Sequence, residues 1–362
     1  MEEKIMIKLV EVIDELEMGG AQHVLYEIIS HLDKSKFNIT IICFKKAEHT
    51  ASFVEDQVIS EGYRVIYLKA KKRSWKYIEL MFVLCQLRPQ IIHAHQTGIV
   101  AALWGIIFHV KTIVSIHTKP EKAFLFPIAQ RAYRIAQKAH AVITVAISAY
   151  NRELCRKFWN LSENEVRYVN NGIAIERFKR VSHSQFSFIN VGRQDENKNQ
   201  ILIIRAFEKF VQAHPEANVT VQLVGNGDSR SNLEKTTEEL KLTGKIIFVD
   251  YVSNPEKYIE QADVYVSSSH REGLSLSVLE SMAAGLPVIA TDAGGVRELA
   301  QANGILIADD DEKALTTAMS TLFENKNIWM EKSKASLEIV QQYSSEQMAA
   351  EYTKLFEKFT KK

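Results

Sequence analysis

The sequence predicts an α/β protein with two doubly wound domains, each built around a parallel sheet. Apolar runs rich in isoleucine and valine alternate with segments of helical periodicity, which is typical of βαβ units. The alternation is interrupted by a polar stretch without periodicity, FKRVSHSQF, and begins again after it, which predicts a linker between two domains. A chain of 362 residues also exceeds one ordinary hydrophobic core and suits two domains.

The first half of the chain opens with a strand and then alternates helices with strands. The predicted strands are Ile5–Val12, Ile39–Phe44, Arg64–Leu68, Ile91–Ala94, Lys111–Ile116, Ala141–Val145 and Val166–Val169. Apolar side chains between Val24 and Leu32 recur at helical spacing, so a helix is expected between the first two strands. The apolar run Ile99–Phe108 is too short to cross a bilayer and predicts a buried helix beside the sheet.

The second half repeats the alternation. Its predicted strands are Ser187–Val191, Val219–Val224, Lys245–Phe248, Val264–Ser267, Val288–Ala290 and Gly304–Ile307, and its predicted helices are Asn199–Ala213, Arg230–Leu240 and Pro255–Gln261. An amphipathic helix is expected over Ser345–Phe359. We therefore assign residues 1–178 to an N-terminal domain, residues 179–344 to a C-terminal domain and residues 345–362 to a terminal helix.

The composition is that of an ordinary globular protein. Hydrophobic residues make up 46% of the chain and the net charge is +1, so the chain lacks the overall basic charge of a nucleic-acid-binding protein. Cys43, Cys85 and Cys155 lack metal-ligand spacing, which predicts reduced thiols in a cytoplasmic protein. The first residues, MEEKIMIKLVEV, are charged and continue into a strand, so no signal peptide is expected.

The most informative stretch is SSSHREGLSLSVLESMAAGLPVIATDAGG, residues 267–295. Ser275 is expected to cap a short helix that starts at Leu276, and Gly285 is expected to end it in a left-handed conformation. The unpaired amides and positive end of such a helix attract an anion, typically a phosphate. Glu280 lies about 6 Å further along the helix, at about 1.5 Å per residue, which is a sensible reach from a diphosphate to its ribose.

This stretch resembles the signature of the retaining nucleotide-sugar glycosyltransferases of the GT-B class, family 4. The match rests on two glutamates with seven residues between them, the EG pair and the AAGLPVIATDAGG tail; the usual Phe-Gly after EG is here Leu274-Ser275. The resemblance implies two Rossmann-like domains that face each other across a cleft, with a terminal helix that crosses back. It also implies that Glu272 holds the donor sugar, that Glu280 holds the ribose, and that Gly273–Leu276 lies at the diphosphate. Glutamates that only solvate a helix are the alternative.

A basic pair follows the first strand of the second half, in VGRQDENKNQ. Arg193 and Lys198 combine a planar guanidinium with a flexible ammonium, which suits the neutralisation of a diphosphate. They match the family motif of GR followed by lysine, so the resemblance implies that they stabilise the leaving diphosphate. Asn199 stands where the family commonly has glycine. A solvated surface pair is the alternative.

Glycine-containing loops are the next candidates. Gly19-Gly20 lies between the first strand and the first helix, where backbone can approach a phosphate closely. The pair resembles the family motif GGAE, here GGAQ, and a simple tight turn is the alternative. Gly225-Asn226 resembles the family's loop beside the nucleotide, and Tyr251-Val252 stands where the family contacts the base.

Histidines end two of the predicted strands. His117 follows the strand in VSIHT, and His93 and His95 end the strand in IIHAH. A histidine at a sheet edge can bind a hydroxyl or carry a proton, and in related enzymes the residue at the position of His117 touches the donor sugar. His117 is therefore the preferred candidate, and a structural histidine is the alternative. His93 and His95 are not expected to bind a metal, because no third ligand has a fitting spacing.

Basic and aromatic residues are interleaved in the first half. They are Lys69, Lys71, Lys72, Arg73, Trp75, Lys76 and Tyr77, and further along Arg131, Tyr133, Arg134 and Lys138. This pattern predicts peripheral contact with an anionic membrane surface, with a solvated lysine-rich face as the equal alternative.

The sequence therefore predicts a retaining glycosyltransferase that acts from the cytoplasm, at the inner face of the cell membrane. Its donor is expected to be a nucleoside-diphosphate sugar, with UDP the commonest nucleotide in the family. Its acceptor is expected to be a saccharide or lipid-linked hydroxyl in bacterial surface polysaccharide or glycolipid synthesis. No cofactor, metal or nucleic acid is expected, since cationic side chains replace a metal. The alternatives are a nucleotide-sugar epimerase, a sugar phosphorylase, or a non-catalytic nucleotide-sugar-binding subunit of a transferase complex.

Overall fold

A computed structural model of the protein describes residues 6–17, 19–47, 53–95, 99–117, 120–123 and 127–360. The chain folds into two compact units, the first from Met1–Gly172 with Ser345–Lys362 and the second from Ile173–Ser344. Each unit contains one parallel sheet whose strands alternate with helices along the chain, so the predicted fold class is confirmed.

In the described part of the first unit, seven strands form a sheet in the order β3-β2-β1-β4-β5-β6-β7. They are β1 Ile7–Ile13, β2 Phe37–Cys43, β3 Arg64–Tyr67, β4 Ile91–His95, β5 Lys111–Ile116, β6 Val142–Ala146 and β7 Val166–Tyr168. The helices between them are α1 Gly20–Ser30, α2 Phe53–Ser60, α3 Arg73–Leu87, α4 Ile99–Ile107, α5 Pro127–Lys138 and α6 Ala149–Trp159. Ile5, where the first strand was expected to begin, lies outside the described residues.

The second unit has a sheet in the order β10-β9-β8-β11-β12-β13. Its strands are β8 Phe186–Val191, β9 Val219–Val224, β10 Ile246–Val249, β11 Val264–Ser267, β12 Val288–Thr291 and β13 Gly304–Ile307. Its helices are α7 Gln200–Ala213, α8 Arg230–Glu239, α9 Glu256–Ile259, α10 Leu276–Ala283, α11 Val296–Asn303, α12 Glu312–Glu324 and α13 Lys326–Val340.

Both sheets reverse their strand order at one point. In the first unit the reversal lies between β1 and β4, and in the second between β8 and β11. All the strand pairs at these points are parallel, so their carboxyl ends share one edge. Doubly wound sheets bind ligands at this edge, at the reversal. The sequence candidates that follow β1, β5, β8 and β11 therefore stand where a ligand site is expected.

The last helix of the chain, α14 (Ser345–Thr360), belongs to the first unit. It packs against α1, and its Phe356 ring meets the Phe37 ring at a centroid distance of 6.0 Å. Its Tyr352 is fully buried, and the Tyr352 hydroxyl lies 2.7 Å from the Ser115 hydroxyl on β5. This helix therefore completes the core of a sheet whose strands end far earlier in the sequence.

Within the described ranges, no helix combines the length and the apolar character that a bilayer span requires. The run Ile99–Phe108 forms a helix, α4, as expected, and its Ala101 and Ala102 are fully buried. The end of the run is not buried as expected, because Ile107 and Phe108 are 58% and 37% exposed. The stretch FKRVSHSQF packs on the second unit, since Arg180 and His183 both bind the Asp263 carboxylate, at 2.9 and 2.8 Å.

Candidate functional site

The basic motif and the EG motif of the second unit meet at its strand reversal. The Lys198 ammonium, from the loop after β8, lies 2.6 Å from the Glu272 carboxylate, from the loop after β11. The two side chains are only 21% and 13% exposed. Burial alone would lower the pKa of Lys198, but the facing charge of Glu272 overcomes burial and raises it. The structure thus joins two candidates that stand far apart in the sequence.

Asp195 organises the same loop. Its carboxylate accepts a hydrogen bond from the Arg193 side chain at 2.6 Å and another from the Lys198 backbone amide at 2.9 Å. Burial would raise the pKa of Asp195, but these bonds and the nearby positive charges lower it. Arg193 is 70% exposed and bound only at its Nε in the described structure, so the rest of its guanidinium faces solvent. Sequence reasoning missed Asp195.

Glycines allow the loops after β8 and β9 to touch. Gly225 has φ +126°, and a Cβ there would lie 2.1 Å from the Gly192 carbonyl oxygen. The Tyr251 hydroxyl donates to the Asn226 carbonyl at 2.8 Å, and the Asn226 amide donates to Asp250 at 2.8 Å. The predicted nucleotide loop and the predicted base position are therefore neighbours, with Val252 half-buried beside them.

The helix α10 begins at Leu276, as expected, and Gly285 follows its end with φ +75°. The expected role of the Ser275 side chain is wrong. Ser275 occupies the N-cap position, but within the described chain its hydroxyl faces the Ser277 hydroxyl at 3.2 Å and makes no cap bond. The backbone has the extended geometry of a cap, so the first-turn amides lack the side-chain acceptor that the sequence suggested.

The EG pair is pressed against the turn that follows β12. The Gly295 amide donates to the Glu272 carbonyl at 3.1 Å, and a Cβ on Gly295 would lie 1.8 Å from the Gly273 carbonyl oxygen. Leu274 is buried, and Glu280 is half-buried in the second turn of α10. The tail of the motif therefore fixes the backbone that carries Glu272.

In the first unit, Gly19 is the N-cap of α1 and Gly20 is its first residue. Gly19 has extended backbone, with φ −168°. The pair thus ends the loop that leaves the carboxyl end of β1, between the first strand and the first helix as expected, and its approach to a ligand stays a prediction.

A buried polar cluster lies at the same edge, and it was only partly foreseen. Glu11 on β1 lies 2.9 Å from His93 Nδ1 and 3.1 Å from His95 Nε2. His95 Nδ1 lies 2.9 Å from His117 Nε2, and all four residues are buried. Sequence reasoning missed Glu11, although a glutamate within the apolar strand IKLVEVI was a usable signal.

Glu11, His93 and His95 also supply donor atoms that lie within 4.8 Å of one another, close enough to surround a metal ion. Glu11 is thus the third group whose absence argued against a metal pair. Each of these atoms has a hydrogen-bond partner within the cluster, however, and the other nitrogens of His93 and His95 are partnered by Ser115 and His117. The potential ligand atoms of these three residues are therefore all hydrogen-bonded within the protein, and none is left unpartnered for a cation to bind.

Two family models match the chain. The one described as Glycosyltransferase Family 4 matches residues 18–177, and the one described as Glycosyl transferases group 1 matches residues 185–325. An uncharacterized glycosyltransferase of Methanocaldococcus jannaschii is 23% identical over 64% of this chain. The chain spans 62% of that relative's length. The UDP-Gal:alpha-D-GlcNAc-diphosphoundecaprenol alpha-1,3-galactosyltransferase of Escherichia coli is 21% identical over 85% of this chain and 86% of its own.

Solved structures share the fold over nearly the whole chain. Anabaena HepE in complex with UDP matches with a TM-score of 0.82 at 16% identity, over 98% of this chain and 100% of that chain. A glycosyltransferase from Rickettsia africae matches with a TM-score of 0.83 at 15% identity, over 98% of this chain and 99% of that chain.

Proposed function

Because the chain belongs to the family 4 glycosyltransferases, also called glycosyl transferases group 1, and has their GT-B fold, we propose that it transfers a sugar from a nucleoside-diphosphate sugar to an acceptor hydroxyl, with retention at the anomeric carbon. The observation that carries this proposal is the partly buried pair of Lys198 and Glu272 at the strand reversal of the second unit. An ammonium held at a ligand-binding edge suits a substrate whose leaving group is a diphosphate.

The leaving diphosphate takes its stabilisation from fixed positive charge. Lys198, the exposed guanidinium of Arg193 and the first amides of α10 neutralise the charge that develops as the bond to the anomeric carbon breaks. Glu272 accepts hydrogen bonds from the donor sugar, and its contact with Lys198 fixes its orientation. The acceptor oxygen attacks the same face, and the departing phosphate oxygen takes its proton. No metal enters this scheme, since the cationic groups do its electrostatic work.

A UDP-sugar is the favoured donor. HepE is known in complex with UDP and with UDP-glucose, and the Escherichia coli relative uses UDP-Gal by its name. The loop of Gly225 and Asn226, joined to Tyr251, borders the nucleotide in this proposal, and Glu280 binds the ribose hydroxyls. His117 contacts the donor sugar, and Gly19-Gly20 lies near the phosphates and acceptor.

Radiolabelled nucleotide sugars, offered as a panel with and without candidate acceptors, test the proposal. We expect release of the nucleotide and transfer of label with at least one donor. Lys198→Met should lower kcat by about 10²–10³-fold, the loss typical of one preorganised charge-stabilising group. Lys209→Met, an exposed lysine on α7, is the matched control and should leave kcat unchanged. Binding without turnover would instead support a non-catalytic subunit, and phosphate-dependent turnover a phosphorylase.

We also infer that the acceptor is lipid-linked and that the first unit docks on an anionic membrane through α3. This helix exposes Trp75, Ile78 and Phe82, which are 60%, 39% and 57% exposed. Their spacing of three and four residues places them on one side of the helix. The Escherichia coli relative acts on an undecaprenol-linked acceptor by its name.

Charge surrounds this apolar stripe. Lys71, Lys72 and Arg73 are exposed at the start of α3, and the one acidic side chain of α3, Glu79, is engaged by the backbone amides of Lys69 and Ala70. An apolar stripe with tryptophan beside lysines is the pattern of a helix that lies in a membrane interface.

Sedimentation with vesicles tests the docking. Binding to vesicles with phosphatidylglycerol and no binding to pure phosphatidylcholine vesicles are expected. Lys71→Gln with Lys72→Gln should weaken partitioning about 30-fold, at about 1 kcal/mol per cation. Lys235→Gln with Lys334→Gln, which are 73% and 79% exposed on the second unit, should leave it unchanged. Equal weakening by both pairs would refute a local docking surface.

A further inference from the structure

A chain of buried side chains connects the interior of the first unit to His117. It runs from Glu11 to His95 and from His95 to His117, with a side branch through His93 and Ser115 to Tyr352. These residues come from β1, β4, β5, the residue after β5, and α14. Each is buried, so their hydrogen bonds must be satisfied within the protein.

The donor and the acceptor of each hydrogen bond from Glu11 through His95 to His117 are determined by the charge of Glu11, at the inner end of this path. Burial raises the pKa of Glu11, but its electrostatic interactions and hydrogen bonds with His93 and His95 bring it down to about 2. Glu11 is therefore a carboxylate and can only accept. His95 Nε2, 3.1 Å away, must then carry the proton that it donates.

The protonation of His95 in turn determines which atom donates in its hydrogen bond with His117. Burial, together with the charge of His93, lowers the pKa of His95 to about 4, so its ring carries one proton at neutral pH. With that proton on Nε2, His95 Nδ1 is an acceptor, and it lies 2.9 Å from His117 Nε2. His117 must therefore donate from Nε2. Burial also lowers the pKa of His117, so its Nδ1 is left with a lone pair.

His117 Nδ1 is the atom at which the chain ends. It is buried and has no hydrogen-bond partner among the described residues. A buried acceptor without a donor destabilises the protein, so a ligand that supplies the donor recovers that free energy. The atom follows β5 at the carboxyl edge of the first sheet, where a ligand is expected.

We propose that Glu11 and His95 are positioning residues that hold His117 as its neutral Nε2–H tautomer, so that Nδ1 is an obligate acceptor for a substrate hydroxyl. That His117 Nδ1 is an acceptor follows from the hydrogen-bond chain together with the charge states of its members, and it excludes a carboxylate or a fully ionised phosphate as the group that His117 binds. The identification of that hydroxyl as one of a sugar substrate rests on the proposed function.

The tautomer can be measured without any substrate. In the full chain labelled with ¹⁵N-histidine, His117 is assigned as the signal lost in His117→Gln. At pH 7 we expect its Nε2 to be protonated and its Nδ1 unprotonated. The Nδ1–H tautomer, a doubly protonated ring or an equal mixture of tautomers would overturn the proposal.

Two variants connect the tautomer to substrate use. His95→Phe removes the partner of His117 Nε2, so we expect mixed tautomers and a fall in kcat/KM of about five- to tenfold, the loss of one hydrogen bond. Ser115→Ala is the matched control, because it disturbs the same cluster only on the side of His93 and Tyr352. An unchanged His117 tautomer and unchanged kcat/KM in His95→Phe would overturn the proposal. If His95→Phe does not fold, the wild-type spectrum still decides.

The outcomes also separate this proposal from the proposed function. The expected tautomer in a protein that transfers no sugar would refute the transferase and leave the positioning chain standing. Sugar transfer by a protein with the opposite tautomer would refute the positioning chain alone.

Discussion

Breaking the contact between Lys198 and Glu272 tests the physical basis of the site in the second unit. The perturbation is a double-mutant cycle of Lys198→Met, Glu272→Met and the double variant. Removing one partner of a fully buried ion pair costs about 3–5 kcal/mol, whereas an exposed pair contributes about 0–1 kcal/mol. The two side chains are 21% and 13% exposed, and their charged atoms are 2.6 Å apart. We therefore expect each single variant to lower the free energy of unfolding by about 2–3 kcal/mol.

The double variant should be less affected than the sum of the singles. Replacing both charges by apolar side chains leaves no uncompensated charge, so its cost should be close to that of either single variant. The expected coupling is about 2 kcal/mol. The raised pKa of Lys198 means that this contribution is complete below the unfolded lysine pKa of about 10.4 and is lost only as the pH rises through the folded value. Measurements at pH 8 therefore report the full pair.

Trp329 provides a probe confined to the second unit. Trp75, Trp104 and Trp159 lie in the first unit, whereas Trp329 donates its indole N–H to the Asp263 carbonyl at 2.9 Å. With 5-fluorotryptophan, the ¹⁹F signal of Trp329 can be followed through urea unfolding of the full chain. At about 1–3 kcal/mol per M urea, the midpoint of a single variant should shift by about 1 M. Costs that simply add, with coupling below about 0.5 kcal/mol, would refute the reasoning.

Further predictions follow from other features of the two units. Gly225→Ala should destabilise the second unit by more than about 3 kcal/mol, because the new Cβ would lie 2.1 Å from the Gly192 carbonyl oxygen. Gly62→Ala is the control: Gly62 has φ +80°, but its Cβ would meet no atom within 4 Å, so this variant should cost about 1–2 kcal/mol. Calorimetric melting compares the two variants. Glu280→Ala should weaken UDP binding at least tenfold, roughly the worth of one charge-assisted hydrogen bond, and unchanged affinity by calorimetry would contradict the ribose role. Transfer activity should persist in excess EDTA, and its loss with recovery on Mg²⁺ would show that the cationic groups do not suffice. The pKa of His95, lowered to about 4, means that below about pH 6.5 the unfolded state binds a proton at this residue that the folded state does not. His95 should therefore contribute a loss of about 1.4 kcal/mol per pH unit to the stability of the first unit between pH 6.5 and pH 4, in addition to the loss from His117, whose pKa is also lowered. Urea titrations of wild type and His95→Phe should show the smaller slope in the variant.

Most of the candidate site of the second unit could be predicted from the sequence, because its parts lie in short contiguous motifs. The helix from Leu276, its stop at Gly285 and the basic loop after β8 all depend on local residue types. The contact of Lys198 with Glu272 was not readable, since it depends on β8 and β11 being neighbours. The cap by Ser275 failed for a local reason, because a second hydroxyl, at Ser277, lies beside its side chain.

The first unit's polar cluster could not be read in this way. Glu11 meets His93 only through the register of β1 with β4, and Ser115 meets Tyr352 across 237 residues of sequence. Periodicity identifies which strands are buried, but it does not say which strand lies beside which. A single glutamate in an apolar strand signals a buried partner without naming it.

The return of α14 to the first unit means that this unit is built from two segments of the chain with the whole second unit between them. During synthesis on a ribosome, β7 emerges long before Tyr352 and Phe356, and the whole second unit is translated between them. Until α14 is made, the first unit therefore lacks Tyr352 and Phe356, whose rings pack on His93 and Phe37, and this part of its core stays exposed during synthesis. A fragment that ends at Gly172 would lack α14 permanently. A fragment in which a flexible linker joins Gly172 to residues 345–362 would contain both segments of the first unit.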